Sequence, residues 1–145
     1  MASFSYSIDI DRPPADVYAY ATDPLRFPEW QPDVAGARLV GEGPARVGSR
    51  FETTRRIAGR DQKLTQEITE DDAPRRWTAR GIDGPIRPTG TLTLEPIDGG
   101  RSTRVKFEIT YAPTALGKVI MPLVMRQTQA GAPGSFKRLK TILER

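Results

Sequence analysis

Cysteine and histidine are both absent from the 145 residues. Without cysteine there is no disulfide framework and no thiol nucleophile. Without histidine the chain lacks the commonest general base and the commonest metal ligand. Long hydrophobic runs are missing too: the longest, residues 119–125, is too short to span a bilayer. No secretory leader is read ahead of Ser3, so the expected setting is the cytoplasm. No phosphate loop, metal-ligand cluster or nucleotide fingerprint occurs, so neither metal nor cofactor is expected. Repeats, low-complexity tracts and linkers are lacking as well. A single domain over residues 1–145 is the expectation, long enough to bury a core unaided.

The net charge is +4, but it is unevenly divided. Residues 1–72 carry nine Lys/Arg against thirteen Asp/Glu, and residues 73–145 carry thirteen against five. A basic half is one footprint of nucleic-acid binding. Here the basic residues largely alternate with apolar ones along expected strands, which is the pattern of a solvated sheet face. Nucleic acid is therefore not the expected partner.

What organises the chain is one long helix expected over residues 115–145. At helical spacing Met121, Val124, Met125, Thr128, Ala132, Ser135, Phe136, Leu139 and Leu143 form a single stripe. The stripe is bulky at both ends and small in the middle, at Thr128, Gly131, Ala132 and Ser135. Laid on a sheet, such a helix either packs closely at its centre or leaves space there for an apolar ligand. Pro122 and Pro133 each remove a helical hydrogen bond, so bends are expected at both. The stripe keeps its phase across them, which predicts one helix and not two.

Ahead of that helix the chain reads as strand, two short helices and six strands. Residues 3–10 alternate Phe4, Tyr6, Ile8 and Ile10 with small or polar residues. Pro13-Pro14-Ala15-Asp16 opens the first helix, and Asp23-Pro24 caps and starts the second, over 25–30. Strands follow at 34–40 and 48–57. A turn at Gly59-Arg60 would pair Ala58 with Asp61, Ile57 with Gln62, Arg55 with Leu64, Thr53 with Gln66 and Phe51 with Ile68. That register puts Phe51, Thr53, Arg55, Ile57, Leu64, Gln66 and Ile68 on the inner face. Beyond a turn at residues 71–74, Ile68 would oppose Trp77 and Gln66 would oppose Ala79. Gly99-Gly100 marks a tight hairpin pairing Leu94 with Val105, Leu92 with Phe107 and Gly90 with Ile109. Tyr111 ends the inner row before a turn at residues 112–114. The short connections make the sheet antiparallel. The fold class is α+β: a curved seven-stranded antiparallel sheet gripping a long C-terminal helix.

This order resembles the START-like helix-grip superfamily, and within it the polyketide cyclase/dehydrase and lipid-transport branch. The residues that carry the resemblance are Pro14-Ala15-Asp16-Val17-Tyr18, Asp23-Pro24 with Phe27 and Glu29-Trp30, Val47-Gly48-Ser49-Arg50-Phe51, and Arg138-Leu139-Lys140 with Leu143-Glu144. It covers essentially the whole chain. The resemblance implies a cavity for a hydrophobic small molecule, with cyclisation of polyketides or modulation of partner proteins as other activities of such folds.

From these readings a ligand-contacting set is expected. Phe27 and Trp30 read as aromatics at a cavity mouth, and Phe51, Trp77 and Tyr111 as inward aromatics. Gly90 leaves a gap in the facing strand, while Met121, Met125 and Thr128 come from the helix. Arg55 is inward in the register, so it needs a carboxylate, a ligand acid or an escape to solvent. Gln66 beside it would hold a carbonyl, Arg55 or a water. An enzyme of the cyclase/dehydratase type would need a base near a carbon acid. Glu52, Glu67 and Glu108 all fall on the outer face, and no acid/base pair emerges. The leading expectation is binding of an apolar or amphipathic small molecule. A cyclase/dehydratase, or a partner-binding regulator without a ligand, are the alternatives.

Overall fold

The computed structural model describes residues 2–57, 59–112 and 114–145. The expected Ala58–Asp61 pair and the centre of the expected 112–114 turn lie outside the described residues. Strand β1 (Ala2–Ile10) leads to helix α1 (Pro14–Ala21), then to a 3-10 turn at Pro24–Arg26 that runs into α2 (Phe27–Trp30). Strands β2 (Val34–Val40), β3 (Arg50–Ile57), β4 (Arg60–Asp72), β5 (Arg76–Gly81), β6 (Pro88–Ile97) and β7 (Ser102–Tyr111) follow. Helix α3 (Gly117–Leu143) closes the order. The strands form one sheet, β1-β7-β6-β5-β4-β3-β2, with every neighbouring pair antiparallel.

Local chemistry accounts for the element starts. Pro14 occupies the first turn of α1, where its missing N–H has no helical acceptor to lose, and Asp16 sits at the positive end. Asp23 accepts a hydrogen bond from the Leu25 amide at 3.1 Å and so caps the next turn. The β6–β7 pairing follows the expected register, with Leu94 opposite Val105, Leu92 opposite Phe107 and Gly90 opposite Ile109. Asp98, Gly99 and Gly100 take positive φ in that turn, a backbone conformation open to glycine and tolerated by aspartate.

Two registers differ from expectation. In β3–β4, Ile57 pairs with Arg60, Arg55 with Gln62, Thr53 with Leu64 and Phe51 with Gln66. The hairpin turns one residue earlier than Gly59-Arg60, and moving the turn by one residue slides the partners by two. In β4–β5, Ile68 pairs with Ala79 and Gln66 with Gly81. There the strand continues through Asp71 and Asp72, where the sequence pattern predicts a turn, and a bulge falls between Ile68 and Glu70. A two-residue slide leaves each side chain on its original face. Thr53 and Gln66 are accordingly buried, although their partners changed.

Helix α3 passes through Pro122 and Pro133 without interruption. Its C-terminal half is clamped. Leu139 is wholly buried, and the Phe136 ring lies 5.0 Å from Phe107, 5.3 Å from Trp30 and 5.9 Å from Tyr6. Polar ties add to this: Lys140 donates to the Asp9 carbonyl, Arg138 to the Glu29 carbonyl, and Glu144 accepts the Asp11 amide. The N-terminal half is held more loosely, by Val124 against Ile86 and Tyr111. The apolar interior is thus two clusters: a large one around Phe51, Trp77 and Phe136, and a small one around Ile86, Tyr111 and Val124.

This arrangement predicts a steep contrast between faces. Leu139→Ala is expected to cost about 2–5 kcal/mol. Lys106→Ala breaks only an exposed pair with Glu95 and should cost no more than about 1 kcal/mol. Denaturant melts of the two variants check this, and equal losses would contradict the clamp.

Candidate ligand cavity

Between the two apolar clusters lies a cavity of about 360 Å³. Its sheet wall is built from inward residues of β3 to β7, among them Arg55, Gln66, Trp77, Leu92, Phe107, Ile109 and Tyr111. Its roof is α3, through Val124, Thr128, Gly131, Ala132, Ser135 and Phe136. The small residues of the helical stripe therefore do stand over open space. Gly90 adds to it: a Cβ built there would meet nothing nearer than the Phe107 ring at 3.8 Å. Of the exposed lining residues, Gln62, Lys63 and Gly84 mark an opening at the end where β3 meets β4 and β5 meets β6, while Pro32 lies just before β2 and Gly131 on α3.

Most of the expected set meets here. Phe27, Trp30, Arg55, Gln66, Trp77, Gly90, Tyr111 and Thr128 all line the cavity. Phe51, Met121 and Met125 are not among the lining residues. Phe51 is fully buried behind the wall, stacked on Trp77 at 6.1 Å and edge-on to Phe27 at 5.8 Å, so it supports residues that do line it. Met121 and Met125 pack against the Ile86–Tyr111–Val124 cluster. Phe27 and Trp30 are also further inside than a mouth position implies, at 5% and 3% exposure.

Arg55 finds a protein partner. Its Nη1 donates to the Gln31 side-chain carbonyl at 3.0 Å and to the Asp33 carboxylate at 3.2 Å. Sequence reasoning had not singled out Asp33. It stands just before β2, and the pairing of Val34 with Arg55, together with the Arg56 amide donating to the Asp33 carbonyl, brings it alongside the guanidinium. Only the β2–β3 register could have revealed it. Ile86 was missed as well, because it falls in a Pro-rich connection with no periodicity to read.

The remaining polar groups sort into satisfied and unsatisfied. Thr128 donates to the Val124 carbonyl at 3.0 Å, so its oxygen is the acceptor for the Tyr111 hydroxyl at 2.7 Å. Burial pushes the Tyr111 phenol above its ordinary pKa, which keeps it protonated and neutral. By contrast, Trp30 Nε1 and Gln66 Oε1 are buried with no hydrogen-bond partner. Thr53 Oγ1 shares that state but lies off the cavity. An unmet buried donor or acceptor costs about 1–3 kcal/mol. Two lining residues thus each carry an unmet buried polar atom, an indole N–H on Trp30 and an amide carbonyl on Gln66, and a third, Arg55, stands in an ion pair whose charges cancel. The lining titratable groups are Asp33, Arg55, Lys63 and Tyr111. Asp33, the one carboxylate among the described lining residues, is engaged by Arg55.

A curved antiparallel sheet closed over a long C-terminal helix, with a cavity between them, defines a START-like helix-grip protein. The chain belongs to the family described as polyketide cyclase/dehydrase and lipid transport, whose model matches residues 1–144. Among solved structures it is similar to TTHA0849 from Thermus thermophilus, with 24% identity, a TM-score of 0.80, and 98% of this chain covering 97% of that one. It is also similar to the Zhui aromatase/cyclase from Streptomyces sp. R1128, with 14% identity, a TM-score of 0.81, and 99% covering 94%. A START superfamily protein from Mycobacterium smegmatis gives 14% identity, a TM-score of 0.80, and 98% covering 97%. At such identities the likeness speaks for the fold. No curated protein sequence matches the chain significantly.

The ion pair makes a prediction. Its members are 23% and 38% exposed, so Asp33→Asn should cost about 1 kcal/mol of stability. The uncancelled guanidinium should then favour an anionic aromatic probe. Titration with 2-naphthoate and 2-naphthol checks this; an unchanged ratio of the two affinities would show that Arg55 does not act on the cavity.

Proposed function

We propose that the chain is a single-domain cytoplasmic protein that binds a neutral, mainly apolar small molecule carrying a hydroxyl or carbonyl group. The observation that carries this reading is the pair of unmet buried atoms, Trp30 Nε1 and Gln66 Oε1, on residues lining an apolar cavity of about 360 Å³. That volume lies in the range of sites for small ligands, about 300–1,000 Å³. A ligand carbonyl accepting from Trp30, or a ligand hydroxyl donating to Gln66, removes a desolvation cost that the empty site bears. Neutrality of the inner end follows from Asp33: with Arg55 already matched, a ligand carboxylate held there would face no free cation, the unpaired Lys63 being an exposed lining residue. Family membership supports a cavity-based role, and a cyclase-type reaction is the other known outcome of this fold. Binding is favoured over reaction because the one lining carboxylate among the described residues is already engaged by Arg55 and no second acid or base stands beside it to complete a pair. No helix among the described residues is long and apolar enough to cross a membrane.

The test is a fluorescence titration with naphthalene, 2-naphthol and 2-naphthoate. The neutral pair should bind, with 2-naphthol about three- to tenfold tighter than naphthalene, as one added hydrogen bond provides. Gln66→Leu should remove that advantage and leave naphthalene affinity intact. Ala132→Phe, which projects into the space beneath α3, should block all three while the protein still melts cooperatively. Binding of none of the probes by the parent, or of 2-naphthoate most tightly, would sink the reading.

A further inference from the structure

One row of cross-strand partners on the outer sheet face runs Arg50, Glu67, Arg80, Thr89, Thr110, Ser3. Its single carboxylate has an arginine on each side. Glu67 stands 3.4 Å from Arg50 and 3.8 Å from Arg80, and the longer distance is beyond a hydrogen bond. Past Arg80 the row offers hydroxyls alone. Cations elsewhere on this face are matched more closely: Arg104 lies 2.9 Å from Asp9, and Arg76 lies 2.7 Å from Glu70. Arg80 therefore shares its counter-charge with Arg50 and holds the weaker part of it.

Beside Arg80 the outer surface is hollow. A groove of about 310 Å³ is lined by Arg80, Gly81, Ile82, Arg87, Thr89 and Ala112. Its frame is tightly set. A Cβ at Gly81 would meet the Pro88 Cδ at 2.8 Å, so the end of β5 and the start of β6 are in close contact. The Ala112 amide donates to the Arg87 carbonyl at 3.1 Å, and the Ile82 amide to the Thr65 carbonyl at 3.0 Å. Arg87 is in no ion pair among the described residues. Its Nε donates to the Gly84 carbonyl at 3.4 Å, which leaves both Nη groups for another acceptor. The Thr89 hydroxyl likewise has no hydrogen-bond partner among the described residues. Nearby carboxylates are engaged or displaced: Asp83 accepts the Thr65 amide, and Glu108 falls one row away, opposite Thr91.

The groove thus gathers two guanidiniums and a hydroxyl, three sets of donors with no acceptor among them. A carboxylate has two oxygens and would leave one set idle. A phosphate group has three terminal oxygens, and the planar guanidinium fork matches them bidentately. Ile82 and Ala112, in the same groove, offer an apolar surface to whatever carries the phosphate. We propose that this groove, on the opposite face of the sheet from the cavity, is a second binding site that takes the phosphate group of a small phosphomonoester.

Backbone amide shifts of Ile82, Thr89 and Ala112, followed by NMR during titration with phenyl phosphate, inorganic phosphate or benzoate, test this on the full chain. Phenyl phosphate should shift all three saturably, and benzoate should bind about fivefold more weakly or not at all. Arg80→Gln and Arg87→Gln should each weaken phenyl phosphate about fivefold, the loss of one exposed charged contact. Thr89→Val keeps the side-chain shape without the hydroxyl and should narrow the margin over benzoate. Arg101→Gln, beyond the far end of β6 and also outside any ion pair among the described residues, should change nothing. These positions lie on the surface, so unchanged melting curves are expected. Ala132→Phe, which fills the cavity, should leave the shifts intact, so this site stands or falls apart from the cavity. Absence of saturable shifts, equal affinity for benzoate, or a loss in Arg101→Gln as large as that in Arg87→Gln overturns the proposal. Inorganic phosphate binding as tightly as phenyl phosphate overturns the assignment to an ester and makes the free ion the ligand.

Discussion

The structure depends on the clamp at Phe136. This ring bridges β1, β7 and α2 through Tyr6, Phe107 and Trp30, and Leu139 seals the next turn beneath it. Burying a side chain of this size contributes about 1.5–3 kcal/mol. More important is where that contribution falls: all at the C-terminal half of α3. Because one half of the helix is anchored, the other can stand away from the sheet without the fold coming apart. The small residues at its centre then face space where a uniformly bulky stripe would have filled it. A cavity survives in a protein interior only when the surrounding structure resists collapse. Here the resistance comes from the aromatic cluster at one end and the Ile86–Tyr111–Val124 cluster at the other.

Electrostatics then selects what the space accepts. An arginine on an inner face suggests an acid receptor, but its partner is supplied from within the chain. The β2–β3 ladder places Asp33 against Arg55, and Gln31 completes the site. Among the buried groups of the lining, what remains unmet is neutral: an indole N–H and an amide carbonyl. The cost of leaving them dry is the strongest indication that the cavity is meant to be occupied.

Much of this was legible in the sequence, and the reason is periodicity. A strand's side chains alternate with period two, so inner and outer faces were read correctly even where the β3–β4 and β4–β5 registers were two residues out. The continuous phase of the α3 stripe likewise outweighed two internal prolines. What could not be read were relations between distant segments. Asp33 becomes a partner of Arg55 only through pairing, and the bulge near Ile68 has no residue signature. Phe51 was rightly placed inside, yet only packing shows that Trp77 and Phe27 stand between it and the cavity. Met121 and Met125 share the stripe's face but sit over the small apolar cluster, a difference of position along the helix that phase cannot convey.

The central claim is that the space under α3 is a binding cavity with two walls. The most direct measurement is the set of intermolecular nuclear Overhauser effects between bound 2-naphthol and the protein. The account predicts contacts from the naphthol ring protons to Ile109 and Leu92 on the sheet and, in the same complex, to Val124 and Ala132 on the helix. Contacts confined to outward residues such as Leu116 and Val119, with none to the sheet wall, would contradict it.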